Sequence, residues 1–137
     1  MEIKENILVI DLSARLPYEV KVSVSYGFGQ PEIKKLCVVH ISQLMGNSCT
    51  IKPYLRPMSS MTEEEIVEIN SMGFAYWTTM INNDLRTRGP MSLLDAIITH
   101  HKMVKLIDWL NAHHFDYRGL IKMGLALEAP EGMYNFK

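Results

Sequence analysis

One segment near the C-terminal end combines more reactive side chains than any other part of the chain. The heptapeptide HHFDYRG, residues 113–119, holds two imidazoles, a carboxylate, a phenol and a guanidinium. His113, His114, Asp116 and Arg118 could form a site for hydrolysis or for handling phosphate, provided that a nucleophile or a metal comes from elsewhere. These four residues are the candidate catalytic residues of the sequence.

The partners that such a site needs are not marked by a motif. The candidates are Asp11, Ser13, Cys37 and His40, and none of them stands in a nucleophile-elbow, P-loop or HExxH context. Ordinary structural roles at helix ends also explain why these residue types occur in the segment. Histidines at the end of a long helix favour its negative pole, which would raise their pKa, and Asp116 can cap a short helix that runs to Met123.

A metal site is not expected. No pair of cysteines or histidines shows the short spacing of a structural zinc site. The pairs at residues 100–101 and 113–114 lie thirteen positions apart, so one helix carrying both would turn them to nearly opposite sides. We predict neither a metal nor a cofactor. Cys37 and Cys49 are predicted to be buried free thiols.

The charged residues support a second hypothesis, which is nucleic-acid binding. The best basic position is the loop that holds Arg86 and Arg88, with Lys102 and Lys105 as further candidate ligands and tyrosine or tryptophan rings for stacking. The chain as a whole offers no general attraction for a polyanion, because 14 basic residues face 15 acidic ones.

Length and composition predict one globular domain over residues 1–137. Hydrophobic residues make up 47% of the chain, which argues against disorder. The N-terminal segment has no signal-peptide core, and the apolar run at residues 7–10 is too short to span a bilayer. We therefore expect a cytoplasmic protein with no membrane partner.

The first half, residues 5–57, predicts strands. Residues 7–12 are rich in branched apolar side chains, and residues 19–26 alternate, with Val20, Val22, Val24 and Tyr26 on one face. Further strands are predicted at residues 35–43 and 49–55. Short turns between consecutive strands favour an antiparallel meander.

The second half, residues 60–125, predicts helices. Thr62 and Glu65 form a capping-box pattern before an apolar period. Apolar side chains then recur at intervals of three and four from Leu93 to Leu110, including Val104, which indicates one long amphipathic helix. Gly124 is placed to end the last short helix in a left-handed conformation. Residues 126–137 are predicted to be an irregular tail.

Together these patterns predict an α+β fold. About four N-terminal strands are expected to form an antiparallel meander, and a curled barrel is the alternative. Two to three helices are expected to pack on one face of the sheet.

Several stretches resemble a known group of proteins. DLSARLPY (11–18), YLRPMSSMTEEE (54–65), DWLNAHHFDYRGLI (108–121) and GLALEAP (124–130) resemble an uncharacterised family of small proteins from gut Bacteroidales-type bacteria and their phages and prophages. The resemblance covers about a third of the chain. It implies an accessory protein of a phage or mobile element and assigns no activity or site residue.

The leading hypothesis is a non-enzymatic protein that binds another protein or itself. It rests on small size, near-neutral charge and the lack of a catalytic motif. The alternative is a nucleic-acid-associated factor that uses the Arg86–Arg88 loop. The third is a hydrolase-type enzyme with the site at His113, His114, Asp116 and Arg118.

Overall fold

The computed structural model describes residues 3–72 and 93–134, and for residues 3–5 and 93–101 it describes the helical backbone alone. The helices are α1 (Ile3–Arg15), α2 (Val38–Met45), α3 (Glu63–Ser71) and α4 (Leu93–Ala112), with short 3₁₀ turns at Leu16–Tyr18 and Met58–Ser60. The strands are β1 (Lys21–Ser25), β2 (Glu32–Lys35), β3 (Thr50–Leu55) and β4 (Leu127–Glu128).

The chain divides into two compact units. Unit 1 comprises Met1–Ser59 and Leu110–Lys137, and unit 2 comprises Ser60–Trp109. The expectation of one domain over residues 1–137 stays a prediction.

Unit 1 is built on an open four-stranded sheet with the order β2-β1-β3-β4. β1 pairs antiparallel with β2 and with β3, whereas β3 pairs parallel with β4. The sheet is therefore mixed and is not a meander, and its fourth strand comes from the segment predicted to be an irregular tail. The barrel alternative is wrong as well, because the sheet does not close.

The core of unit 1 lies on one face of this sheet. Val20, Val22 and Val24 are buried as the alternation predicts, but Tyr26 lies beyond the end of β1 and is exposed. The remaining core side chains come from α1, the connection between β2 and α2, α2, β3 and the C-terminal segment: Leu8, Leu12, Leu36, Leu44, Ile51, Leu55, Leu120 and Ala126. Helices α1 and α2 thus supply the apolar layer that covers the sheet.

Two predicted strands are helices. Residues 7–12 lie in α1, where Leu8, Asp11, Leu12 and Arg15 are buried while Ile10 is exposed. The buried positions have the spacing of one helix face. The run of branched apolar residues is also typical of a strand, so the sequence pattern did not distinguish the two. Residues 38–43 of the predicted third strand lie in α2, and β2 ends at Lys35.

Unit 2 bears out the predicted helix start. Thr62 Oγ1 accepts a hydrogen bond from Glu65 N (3.2 Å), and Glu65 Oε1 accepts one from Thr62 N (3.0 Å). This is the reciprocal capping box.

Helix α4 also lies where the sequence predicts it. Leu110 of the predicted apolar face is buried, and so is Leu106, which was not predicted to lie on the face of Leu110. Val104, which was placed on the same face, is half exposed. Among the described residues, no helix has both the length and the apolar character that crossing a membrane requires.

The broad prediction of an α+β fold is thus confirmed. The arrangement differs, since two of the four described helices precede β3 and both belong to the half that was predicted to hold strands.

Candidate functional site

The C-terminal corner is the segment that follows α4, residues 113–119. Two hydrogen bonds end the helix, from His114 N to Asn111 O (3.1 Å) and from Phe115 N to Leu110 O (2.9 Å). These are the two bonds of a Schellman motif, in which the residue at the position of His114 adopts a left-handed conformation. His114 has φ 63°, a conformation that glycine usually supplies.

The corner is fixed to the strand side of unit 1 by backbone pairing. Arg56 N donates to His114 O (2.8 Å), and Asp116 N donates to Arg56 O (2.9 Å). The Arg56 guanidinium lies 4.1 Å from the centre of the Phe115 ring, and Phe115 is fully buried. The segment that could be a mobile catalytic loop is therefore held along its backbone.

A buried ion cluster ties α1 to this corner. Arg15 Nε donates to Asp11 Oδ2 (2.7 Å), and its Nη2 donates to Asp11 Oδ1 (3.2 Å) and to Phe115 O (2.7 Å). Arg118 Nε also donates to Asp11 Oδ1 (3.1 Å). Asp11 and Arg15 have no exposed surface, whereas the Arg118 side chain is 34% exposed.

The geometry of Asp11 favours a structural role. Both of its carboxylate oxygens accept hydrogen bonds from guanidinium groups, and the side chain is closed to solvent. A carboxylate held in this way cannot reach a substrate. Tyr117 completes the cluster, since its ring lies 5.1 Å from the Arg15 guanidinium and 5.3 Å from that of Arg118.

His114 lies against an aromatic ring. Its imidazole stacks on Tyr134 with ring centroids 3.9 Å apart. Burial, followed by the nearby charges of Arg15, His113 and Arg56, lowers the pKa of His114 to about 4. The predicted rise in pKa from the helix terminus is therefore wrong for this residue, because burial and the charges of Arg15 and Arg56 outweigh the dipole.

The Asp116 carboxylate caps backbone N–H groups, as predicted, but no helix follows it. Its two carboxylate oxygens accept hydrogen bonds from Leu120 N (2.8 Å) and Ile121 N (3.0 Å). Residues 117–124 form successive turns. Gly124 ends them with φ 77°, the predicted left-handed conformation.

Of the predicted catalytic residues, Asp116 and Arg118 thus bind groups of the protein itself. His113 is half-buried, and its carbonyl accepts a hydrogen bond from Arg56 Nη1 (3.4 Å). His113 and His114 line neither of the cavities described below. The candidate roles of these four residues stay predictions.

The other candidate partners lie apart from the corner's chemistry. Ser13 is exposed and donates to Val9 O (2.7 Å). His40 is buried in the first turn of α2, where its Nδ1 accepts a hydrogen bond from Cys37 N (3.0 Å), and burial lowers its pKa. Cys37 is exposed, which corrects the prediction of a buried thiol, and Cys49 is half-buried.

Two of the predicted nucleic-acid ligands, Arg86 and Arg88, lie outside the described residues. Lys102 and Lys105 lie on α4, half-buried and exposed respectively. In residues 3–72 and 93–134, no three histidine, cysteine, aspartate or glutamate side chains are grouped as a metal ion would require.

A cavity of about 400 Å³ opens near the tip of the β1–β2 hairpin. Leu8, Leu44, Ile51 and Leu125 supply its apolar wall. Its remaining lining residues are polar or belong to the hairpin: Ser25, Tyr26, Gly27, Asn47, Ser48, Cys49, Thr50 and Lys52. The sequence did not reveal this cavity, because its walls come from four separate segments.

The hairpin tip itself displays an aromatic side chain. Phe28 is 82% exposed, and Gly27 and Gly29 on either side have φ 87° and 72°. Glycine suits these backbone angles, so the tight turn holds Phe28 outward beside the cavity. The sequence showed the turn but not the exposure of its aromatic residue.

No match was found for this chain among protein families, curated proteins or solved structures.

Proposed function

We propose that this protein is a non-enzymatic binding protein and that its partner is a second copy of the same chain. The observation that carries the proposal is the position of Phe28, a fully displayed aromatic residue that directly follows two lining residues of an apolar cavity. Exposed aromatic residues beside a pocket are typical anchors of protein interfaces.

The cavity has a suitable size and chemistry for an aromatic side chain. Its volume of about 400 Å³ lies within the usual range of ligand pockets, about 300–1,000 Å³. The apolar part of its wall is aliphatic, and Lys52 is the one charged residue among those that line it. A phenyl ring that enters it would exchange water for contacts with leucine and isoleucine.

A dimer in which each copy inserts Phe28 into the cavity of the other fits the short distance in sequence between Phe28 and the cavity. In a two-fold dimer each surface patch must complement itself. Because Phe28 follows the lining residues Tyr26 and Gly27, a two-fold axis beside the hairpin tip would bring each Phe28 to the cavity of the other copy. Met45, which is 55% exposed and follows the lining residue Leu44, would extend the apolar contact.

The energetics predict a reversible dimer. Burying one phenylalanine side chain contributes about 1.5–3 kcal/mol, and association costs at least about 4 kcal/mol in lost rigid-body freedom. Two phenylalanines therefore roughly offset that cost and leave little surplus. A dissociation constant of about 10 µM to 1 mM, which requires about 4–7 kcal/mol net, needs further apolar contact such as that of Met45.

The biological setting remains part of the proposal. The similarity of four segments to small phage and prophage proteins suggests an accessory role in a bacterial cell, and self-association is compatible with that role. The buried corner supports this choice over the hydrolase hypothesis, because Asp11, Asp116 and Arg118 are engaged by groups of the protein itself.

Sedimentation analysis over the expected concentration range tests the proposal. Wild-type protein should shift from monomer to dimer, and Phe28→Ser should stay monomeric. Ser48→Phe should do the same, because Ser48 is exposed and lines the cavity, where the new ring would compete with the incoming one. Ile10→Ser is the matched control, since Ile10 is an exposed apolar residue that does not line the cavity.

Mixing the two monomeric variants adds a sharper test. The Phe28→Ser chain keeps an open cavity and the Ser48→Phe chain keeps its anchor, so only the mixture can form one of the two contacts. It should associate more weakly than wild type and more strongly than either variant alone. A wild-type protein that stays monomeric to about 1 mM, or a Phe28→Ser dimer as strong as wild type, would overturn the proposal.

A further inference from the structure

We propose a second binding site, on the outward face of the unit 1 sheet, for the phosphate groups of single-stranded nucleic acid. The outward face is the side opposite the valine core. This site adjoins the Phe28 cavity, which Ser25, Thr50 and Lys52 also line. It uses none of the four residues that the sequence suggested for nucleic-acid binding.

The strand register defines the face. Val22 and Val24 point into the core, so their neighbours in β1 point outward. Residues paired across a sheet share a side, and the register Lys21↔Lys35, Ser23↔Ile33 and Ser23↔Lys52 extends the face over three strands. Its members are Lys21, Ser23, Ser25, Ile33, Lys35, Thr50, Lys52 and Tyr54.

Three lysines lie close together on this face. Lys21 is directly opposite Lys35, a pairing of like charges that destabilises a sheet by itself. Lys52 pairs with Ser23 and is therefore a diagonal neighbour of Lys21. The backbones of such diagonal neighbours lie about 7–8 Å apart. An anion above the face would relieve this repulsion.

Few negative charges neutralise the lysines. None of the eight outward positions carries a carboxylate. Lys35 Nζ forms an exposed ion pair with Glu19 (2.6 Å), and Lys21 Nζ donates to the neutral carbonyl of Met133 (3.3 Å). In a chain of net charge −1, this face therefore concentrates positive charge.

A concave surface adjoins the lysines. Glu19, Lys21, Ile33, Lys34 and Lys35 line a cavity of about 290 Å³ at the edge strand β2. Phosphate oxygens lying there would have ammonium groups on several sides. Glu19 is exposed and has only Lys35 as an ion-pair partner among the described residues, so a phosphate could displace it.

The remaining side chains favour an extended, phosphate-bearing strand. Ser23, Ser25 and Thr50 offer hydroxyl donors along β1 and β3, and Tyr54 adds a half-buried phenol on the same face. Cationic side chains combined with an aromatic residue on an open sheet are the usual means of binding single strands without sequence preference. The spread of the lysines over three strands suits a chain of phosphates better than one free phosphate.

Fluorescence anisotropy with a labelled single-stranded oligonucleotide tests the site. We expect binding at low salt that weakens as salt rises, with a slope of about −2 in a double logarithmic plot if three phosphates are neutralised. The triple variant Lys21→Gln, Lys35→Gln, Lys52→Gln should bind at least about tenfold more weakly with a flatter slope. The matched control is Lys122→Gln, an exposed lysine of unit 1 that is not a member of this face, and it should leave binding unchanged.

Two further readings decide the assignment. Circular dichroism must show the triple variant folded, and Lys52→Gln alone, which disturbs no described ion pair, should already weaken binding. No binding at low salt, or equal binding by wild type and the triple variant, overturns the proposal. Binding of inorganic tripolyphosphate without binding of the oligonucleotide also overturns it, in favour of a free phosphate ligand.

Discussion

The imidazole of His114 stacks on the phenol ring of Tyr134, with centroids 3.9 Å apart and planes inclined by 27°. The same phenol bridges two strands. Tyr134 OH accepts a hydrogen bond from Lys21 N and donates one to Tyr54 O, both at 2.8 Å. Lys21 and Tyr54 are the next two residues beyond the last β1–β3 pair, Val22↔Pro53. The phenol therefore takes the place of a backbone hydrogen bond where the two strands separate.

Burial of His114 makes the stability of the fold dependent on pH. His114 has a pKa of about 4 in the folded chain against an ordinary value of 6.5. Between these values the unfolded chain takes up a proton that the folded chain does not, so the free energy of unfolding falls as pH drops from about 6.5 to about 4. At about 1.4 kcal/mol per pKa unit, the full loss is about 3 kcal/mol.

Urea denaturation at pH values across this window checks the prediction. His40 contributes in the same direction, because burial lowers its pKa too. His114→Asn is therefore the proper comparison, since asparagine tolerates the left-handed conformation and does not titrate. The variant should lose most of the pH dependence, and an unchanged slope would contradict the assignment to His114.

Removal of the Tyr134 hydroxyl should open the end of the β1–β3 pairing. Tyr134→Phe keeps the ring stacked on His114 but leaves Lys21 N and Tyr54 O without this partner. We expect a loss of about 1–3 kcal/mol in unfolding free energy and faster hydrogen exchange at the Lys21 amide. Tyr18→Phe, which leaves the bridge intact, should show neither effect.

The fold could be predicted where a local pattern decides the structure. The alternation at Val20, Val22 and Val24 and the capping box at Thr62 and Glu65 were both correct, because each depends on residues a few positions apart. Helix α1 was misassigned, although the buried Asp11–Arg15 pair has the i, i+4 spacing of a helix face. The run of branched apolar residues before Asp11 is also typical of a strand, and it outweighs a single charged pair as a pattern.

The sites depended on long-range contacts and could not be predicted in the same way. Tyr134 lies 113 positions from Lys21, and Arg118 lies 107 positions from Asp11. Burial of His114 reversed the expected direction of its pKa shift, and no local pattern reports burial at a helix end. The lysine face required the register of three strands. The sequence predicted β1 and β3 closely but β2 only at its last residue, Lys35.

The capping box allows a separate test in unit 2. Thr62→Ala removes the hydrogen bond that Glu65 N donates to Thr62 Oγ1. The start of α3 should then be destabilised by about 1 kcal/mol, measurable as lower helix content on heating. Thr62→Ser should retain the wild-type value, because its hydroxyl can accept the same bond. A Thr62→Ala variant as stable as Thr62→Ser would show that the cap contributes nothing.

The Asp11 cluster predicts the largest single effect. Asp11→Leu leaves the fully buried Arg15 guanidinium without its counter-charge, which should cost about 3–5 kcal/mol. Arg118→Met should cost less than about 1 kcal/mol, because this side chain is partly exposed and its loss leaves the Asp11–Arg15 pair intact.

The double variant Asp11→Leu, Arg15→Met separates an isolated buried charge from a general packing defect. Replacing both partners of a buried ion pair with apolar side chains is often close to neutral. The double variant should therefore recover much of the stability lost in Asp11→Leu, as measured by denaturation at one pH. If it were instead less stable than Asp11→Leu, hydrogen bonds of Arg15 such as that to Phe115 O, and not the ion pair, would dominate the cluster.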